Sequence, residues 1–239
     1  MRSWFEFFTH IKQKYNFYPT TVVDVGVATD TPDLYIHYPD ARYLFVEPLV
    51  EFEPSLERLC QQYNGTYMLA AAGATDGELT IQVSPDLGGT SKFELVNAEI
   101  FDMKSRTVPQ FRIDTMWNTL ELSGPALLKV DVQGAEIEVL KGAEATLDNF
   151  EVIVLEVGMI ETYVGQPVFH EYVAYMAERD YVVYDIIHGG YGDTGLLCQI
   201  DLVFVKRTGQ FRQDLRSVVD PEKARSLNNY KGIKRNEDV

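Results

Sequence analysis

Several features that would place the chain in a familiar class are scarce or missing. Cysteine is one: only Cys60 and Cys198 occur in 239 residues. So distant a pair rules out a disulfide-stapled scaffold and is expected to be two buried thiols in a reducing compartment. No cysteine or histidine spacing matches a tetrahedral metal site. Long apolar runs are missing too, since nowhere do about 18 apolar residues run together. The opening stretch, Met1 to Tyr15, mixes acidic and basic residues among aromatics, which predicts an amphipathic helix rather than a leader. Positive charge is short: 21 Lys+Arg stand against 36 Asp+Glu, a net charge of -15. That balance disfavours a nucleic-acid backbone or an anionic membrane as the main partner. A cytoplasmic protein without membrane insertion is expected. Internal repeats are also absent, as is any composition shift marking a second large domain.

What remains is an α/β pattern. Short β-branched runs at Thr21–Val25, Tyr43–Val46, Tyr67–Ala71, Ala126–Val130, Val152–Leu155, Tyr181–Ile187 and Ile200–Val205 predict seven strands. Helical periodicity falls between them at Pro32–His37, Phe52–Tyr63, Ala135–Leu140 with Glu144–Asn149, and Val168–Arg179. Alternation of this kind builds a mostly parallel sheet with helices on both faces. It breaks between Glu78 and Val108, where Leu79–Val83, a turn-rich Pro85–Gly89 stretch and a further strand at Val108–Ile113 predict a small β insertion after the third strand. The last two strands are joined by His188–Gly195, which has no helical period, so they should pair antiparallel. The expected organisation is an N-terminal helix at 1–18, one Rossmann-like domain at 19–208, and a polar tail at 209–239 that forms a short helix and then frays.

The ends of the first two strands carry the chemistry. The first runs Val22-Val23-Asp24-Val25-Gly26-Val27-Ala28, then Thr31 as helix cap and Pro32 at the first helical position. In a doubly wound sheet ligands sit beyond the carboxyl ends of strands. Gly26 there allows a tight turn and a close approach. The second strand ends Val46-Glu47-Pro48, placing Glu47 23 residues after Asp24, a spacing at which a carboxylate accepts hydrogen bonds from a bound ribose. A dinucleotide needs a glycine-rich turn for its pyrophosphate. This loop has one glycine and two aspartates, Asp24 and Asp30. S-adenosylmethionine, which is cationic at sulfur and nitrogen and carries no phosphate, fits better; a nicotinamide-dependent oxidoreductase does not.

These residues, with the block Lys129-Val130-Asp131-Val132-Gln133-Gly134-Ala135-Glu136, the Ile113-Asp114 pair and Leu155–Val157, resemble the FkbM-type methyltransferases over roughly Thr20 to Arg207. The resemblance implies a class I fold, S-adenosylmethionine as donor, and usually a hydroxyl oxygen of a small molecule or sugar as acceptor. It makes Asp24, Gly26 and Glu47 cofactor positions, with Val27 and Pro48 beside them, and puts Ala71 and Ala72 near the adenine. Two positions depart from the family pattern. Gln133 replaces the commoner Glu, and Asp30 stands where a loop glycine is usual; Asp30 must point away or pair with the donor's ammonium.

On the acceptor side, Asp131 and Glu156 end neighbouring strands, and Lys129 shares a strand face with Asp131 (period 2). These three are the candidate catalytic residues. Asp131 has a structural alternative, holding the turn into the next helix. Asp131 with Glu156 offers two hard oxygen ligands but no third carboxylate to complete a cation shell, so no metal is expected. His170 reads as a helix-start surface group and His188 as part of a flexible hairpin loop, while Tyr163 and Tyr191 are either an aromatic wall or packing. Two functions compete: an O-methyltransferase acting on a sugar, glycan precursor or secondary metabolite, and a binding module for the same cofactor that no longer transfers methyl groups. A homo-oligomer is compatible with either.

Overall fold

The computed structural model describes residues 1–96 and 102–213. Its main sheet has seven strands: β1 (Thr21–Val25), β2 (Arg42–Val46), β3 (Gly65–Met68), β7 (Ala126–Val130), β8 (Phe150–Gly158), β9 (Tyr181–Tyr191) and β10 (Leu197–Lys206). They are ordered β3-β2-β1-β7-β8-β10-β9. All neighbours are parallel except β10, which runs antiparallel to both β8 and β9. Strand order reverses between β1 and β7, and a crevice opens there beyond the strand ends.

The central strands β1, β2, β7 and β8 are mostly apolar and largely buried on both faces, so alternate residues feed two cores. Val23, Val25, Leu44, Leu128, Val130, Ile153 and Leu155 face one side. There they meet α4 (Ile113–Thr119), α5 (Glu136–Lys141) and α6 (Phe169–Ala177). Val22, Tyr43, Phe45, Leu127, Val152 and Val154 face the other, against α1 (Trp4–Tyr15), α2 (Pro32–His37) and α3 (Glu53–Gln62). Helix α1 starts at Ser3 in a capping box with Glu6 and buries Phe7, Phe8 and Ile11. No helix among the described residues is long and apolar enough to cross a membrane.

Several expectations change. The third strand stops at Met68, and Ala71–Ala72 form β4 of a separate three-stranded sheet with β5 (Gly77–Val83) and β6 (Lys104–Phe111). Ile113 opens helix α4 rather than closing a strand, because Asp114 turns inward and accepts bonds from the Thr146 amide at 3.0 Å and hydroxyl at 2.8 Å. That anchor explains the Ile113-Asp114 pair structurally. Of the helix expected over Glu144–Asn149, only a 3₁₀ turn at Leu147–Asn149 forms. Strand β9 continues through His188, Gly189 and Gly190 to Tyr191 instead of looping at His188. Gln199 of β10 packs so close over Gly190 that a side-chain carbon would lie 2.8 Å from it. Cys60 and Cys198 are free but half-buried rather than buried. Gln210–Arg212 forms a 3₁₀ turn with Phe211 buried; residues 214–239, most of the expected tail, lie outside the described residues.

Candidate active site

Gly26 leaves β1 with φ +76°, and a Cβ there would sit 1.7 Å from the backbone oxygen of Asp131. Only glycine lets the loops after β1 and β7 touch. Glu47, at the end of β2, fastens the same region. Its Oε2 accepts from the Ala28 amide and its Oε1 from the Leu49 amide, both at 3.0 Å. Burial pushes its pKa up, opposed by those two amides. Each oxygen keeps a lone pair for a further donor.

A cavity of about 240 Å³ opens on this corner. Gly26, Glu47, Pro48, Ala71, Ala72 and Asp131 line it, and a flap from the second sheet roofs it with Leu79, Ile81, Leu87 and Ser91. A second cavity, of about 390 Å³, lies alongside and is walled by Val27, Lys129, Glu156, His188, Asp201 and Trp4, with Asp30, Asp33 and Gln199. Gly26, Ala28 and Asp131 line both. Asp24 lines neither. It is fully buried beneath the loop, accepting from the Tyr35 hydroxyl at 2.5 Å and the Thr31 hydroxyl at 3.0 Å. Thr31 therefore spends its hydroxyl on Asp24 rather than on capping α2. Asp30 faces Arg58 at 3.2 Å, which answers the charge problem posed by its position.

Lys129 is 5% exposed. Its Nζ lies 3.1 Å from Asp24, 3.9 Å from Asp131 and 2.7 Å from the Gly26 carbonyl oxygen. Burial alone would depress its pKa, but the Asp24 and Asp131 carboxylates outweigh it and the net direction is up. Glu156 is pushed well above the carboxylate range, first by burial and then by the Asp131 charge. Between them stands Gln133, whose Nε2 donates to Asp131 at 3.1 Å and to Glu156 at 2.6 Å. Gln199 donates to the other Glu156 oxygen. Among the described residues no group of three His, Cys, Asp or Glu is arranged to hold a metal ion.

Wall residues missed in the sequence include Trp4, Asp33, Gln199 and Asp201. Trp4 donates its indole N–H to Asp201 at 2.7 Å, and the antiparallel register sets Asp201 opposite Glu156. An acidic residue inside the apolar β10 run was the one available signal. His170 is exposed and Tyr191 is 62% exposed; neither lines either of these two cavities.

Glu136 explains another part of the sequence block. Fully buried, it accepts from Val132 N at 3.0 Å, Gly134 N at 3.1 Å and the Tyr172 hydroxyl at 2.6 Å, holding the turn into α5. Burial lifts its pKa to about 7. The folded form then binds more protons than the unfolded one between 4.5 and about 7. Stability should be fullest below that window and fall as pH rises through it. Glu156 adds in the same direction. His10, whose pKa burial lowers, acts in the opposite direction, so the test is the difference: between pH 4.5 and 8 the melting temperature of the wild type should fall relative to that of Glu136→Gln, and parallel profiles would contradict the assignment.

The strand order, the antiparallel β10 and a crevice at the β1–β7 switch are those of the class I, S-adenosylmethionine-dependent methyltransferase fold. The methyltransferase FkbM domain model matches residues 24–183, and the chain belongs to that family. No curated protein matches it. Solved structures share its outline at low identity. They include precorrin-6y C5,15-methyltransferase from Geobacter metallireducens (12% identity, 84% of this chain and 88% of that one, TM-score 0.44). Another is Aeropyrum pernix fibrillarin with bound S-adenosyl-L-methionine (13%, 78% and 66%, TM-score 0.44). A third is magnesium protoporphyrin IX methyltransferase from Synechocystis PCC 6803 (11%, 84% and 76%, TM-score 0.44). The walls of the second cavity reach beyond the family match on both sides, to Trp4 and to His188, Gln199 and Asp201.

Proposed function

We propose that the enzyme methylates a hydroxyl oxygen on a small, uncharged or cationic acceptor such as a sugar, a glycan precursor or a secondary metabolite. The observation that carries this reading is Asp131, the one carboxylate that lines both cavities. The first cavity suits the adenosyl part of the donor: Gly26, Ala71 and Ala72 leave room, and Glu47 has acceptor capacity left for ribose hydroxyls. Val27 and Pro48 shape the two loop ends, while Asp24 acts from below by holding Thr31, Tyr35 and Lys129. When bound, the donor supplies an electrophilic methyl group. The chain's own residues orient the acceptor in the second cavity, exclude water and take the hydroxyl proton. Asp131 is the base in this reading, Glu156 and Gln133 set its surroundings, and Lys129 holds the β1 and β7 ends together. The acidic side chains on the second cavity outnumber Lys129 even with Asp30 paired to Arg58 and Glu156 pushed toward its neutral form, which opposes a phosphorylated or carboxylated acceptor.

Residues 19–208 are taken as the catalytic domain, with helix 1–18 supplying Trp4 to its wall. The alternative, a module that binds the cofactor without turnover, loses one of its two supports now that Asp30 pairs with Arg58.

Screening methyl transfer from S-adenosylmethionine across hydroxylated metabolites tests the reading; turnover of neutral or amine-bearing acceptors is expected. Donor binding with no turnover across a broad panel would favour the binding module. Glu47→Ala is expected to weaken binding of S-adenosylhomocysteine, measured by calorimetry, by about 1.5–3 kcal/mol, the worth of hydrogen bonds to a charged group. Unchanged affinity in the folded variant would remove Glu47 from the ribose site.

A further inference from the structure

We propose that Tyr163 is a positioning residue that couples closure of the cofactor-cavity flap to the orientation of Gln133, and through Gln133 to Asp131 and Glu156. This rests on the functional reading above and goes beyond it.

The phenol of Tyr163 has one hydrogen and two acceptors. Its oxygen lies 3.0 Å from Gln133 Oε1 and 3.2 Å from the Gly89 carbonyl oxygen. Neither acceptor can return a proton, so the two bonds share or exchange a single donor. Gly89 belongs to the flap, whose neighbours Leu87, Gly88, Thr90 and Ser91 line the first cavity. Gln133 belongs to the β7–α5 turn. One hydroxyl therefore touches the cover of the cofactor cavity and the amide between the two carboxylates.

The amide is oriented by its partners. Gln133 points its nitrogen at Asp131 and Glu156 and its oxygen at Tyr163. Turned the other way, its oxygen would face the Asp131 and Glu156 carboxyl groups, and the phenol would donate to Gly89 alone. The backbone is equally constrained. Gln133 has φ +56° and Gly134 φ +97°, and a left-handed non-glycine residue persists only where its surroundings over-determine it. Ser91 supplies part of that constraint, donating its hydroxyl to the Gln133 carbonyl oxygen at 2.6 Å.

The two segments are also joined by main chain. Val96 N donates to Thr162 O at 2.9 Å, Val164 N to Glu94 O at 2.8 Å, and Leu95 bridges Tyr163. Lifting the flap thus strains Tyr163, whether it stays with Gly89 or with Gln133. Tyr163 is 5% exposed, and burial with the nearby Glu156 charge keeps the phenol protonated, as a donor. With the flap down, the amide is locked and both carboxylates are held for an acceptor. With the flap up, the amide loses its anchor.

Two readouts on the full chain test the coupling without an identified acceptor. One is the dissociation rate of S-adenosylhomocysteine by stopped flow. The other is the titration of Glu156 by carboxyl carbon NMR, assigned with Glu156→Gln. Tyr163→Phe, which keeps the ring, is expected to release the ligand about fivefold faster, the effect of one lost hydrogen bond. It should also move the Glu156 titration upward by about half a unit, since an unanchored amide donates less to the charged form. Ser91→Ala should speed release with a smaller titration shift, and Gln133→Met should change both readouts, because coupling between the flap and the amide acts in both directions. A Tyr163→Phe protein that changes only one readout, or neither, overturns the coupling. Should Tyr163→Phe fail to fold, a Gln133→Met protein that shifts the titration and leaves release unchanged would overturn it instead. A wild-type protein that binds no S-adenosylhomocysteine would defeat the functional reading; normal wild-type binding with a silent Tyr163→Phe defeats only this proposal.

Discussion

Lys129→Met is expected to cost about 3–5 kcal/mol of folding free energy, the usual consequence of stranding one member of a buried ion pair. The size follows from what Lys129 leaves behind. Asp24 is fully buried, and its Oδ1 has Lys129 at 3.1 Å and no hydrogen-bond partner of its own. Without the ammonium, Asp24 must keep an uncompensated charge or take up a proton, and the Gly26 carbonyl oxygen loses its donor at 2.7 Å. Denaturant unfolding would show a lower midpoint with an unchanged slope. The double variant Lys129→Met with Asp24→Asn should recover much of the loss, because replacing both charges removes the stranded one. A Lys129→Met protein as stable as the wild type would mean that the pair does not hold β1 to β7.

Asp131→Asn carries the second large effect. Methyl transfer to an acceptor found by screening is expected to fall about 10²–10⁴-fold, the range for removal of a positioned proton acceptor. Affinity for S-adenosylhomocysteine should stay near normal, because the adenosyl contacts assigned to Glu47, Ala71 and Ala72 are untouched. Asparagine has nearly the same shape and still presents an oxygen to the Gln133 amide, so local geometry is preserved while basicity is lost. Full turnover would return Asp131 to its other role, fastening the turn into α5. Glu136 already performs that task through its bonds to Val132 and Gly134.

Local signals made much of the fold legible. β1 and β7 match their expected limits because each is a fully buried, largely apolar five-residue run bounded by turn residues. The antiparallel last pair followed from a connection too short and too rich in glycine for a crossover. Ala71–Ala72 misled: an apolar pair continues a strand pattern without showing which sheet it joins. The Lys129 periodicity correctly gave a shared face with Asp131 but not its main partner. Asp24 becomes that partner only because β1 and β7 pair in the register Asp24↔Lys129. The meeting of Trp4 with Asp201 was illegible for the same reason, since it joins residues 197 positions apart, although Asp201 itself stood out as an acid in an apolar run. Gln133, noted only as a departure from the family pattern, proves to be the hub between two carboxylates and a phenol. No spacing rule predicts a side chain delivered by two successive left-handed residues.

Crystallising the protein with S-adenosylhomocysteine tests the central claim most directly. The ribose hydroxyls should lie within hydrogen-bonding distance of Glu47, and the sulfur should face Asp131 where the two cavities meet. An adenosyl group bound elsewhere, or a folded sample with no affinity for the compound, would contradict it.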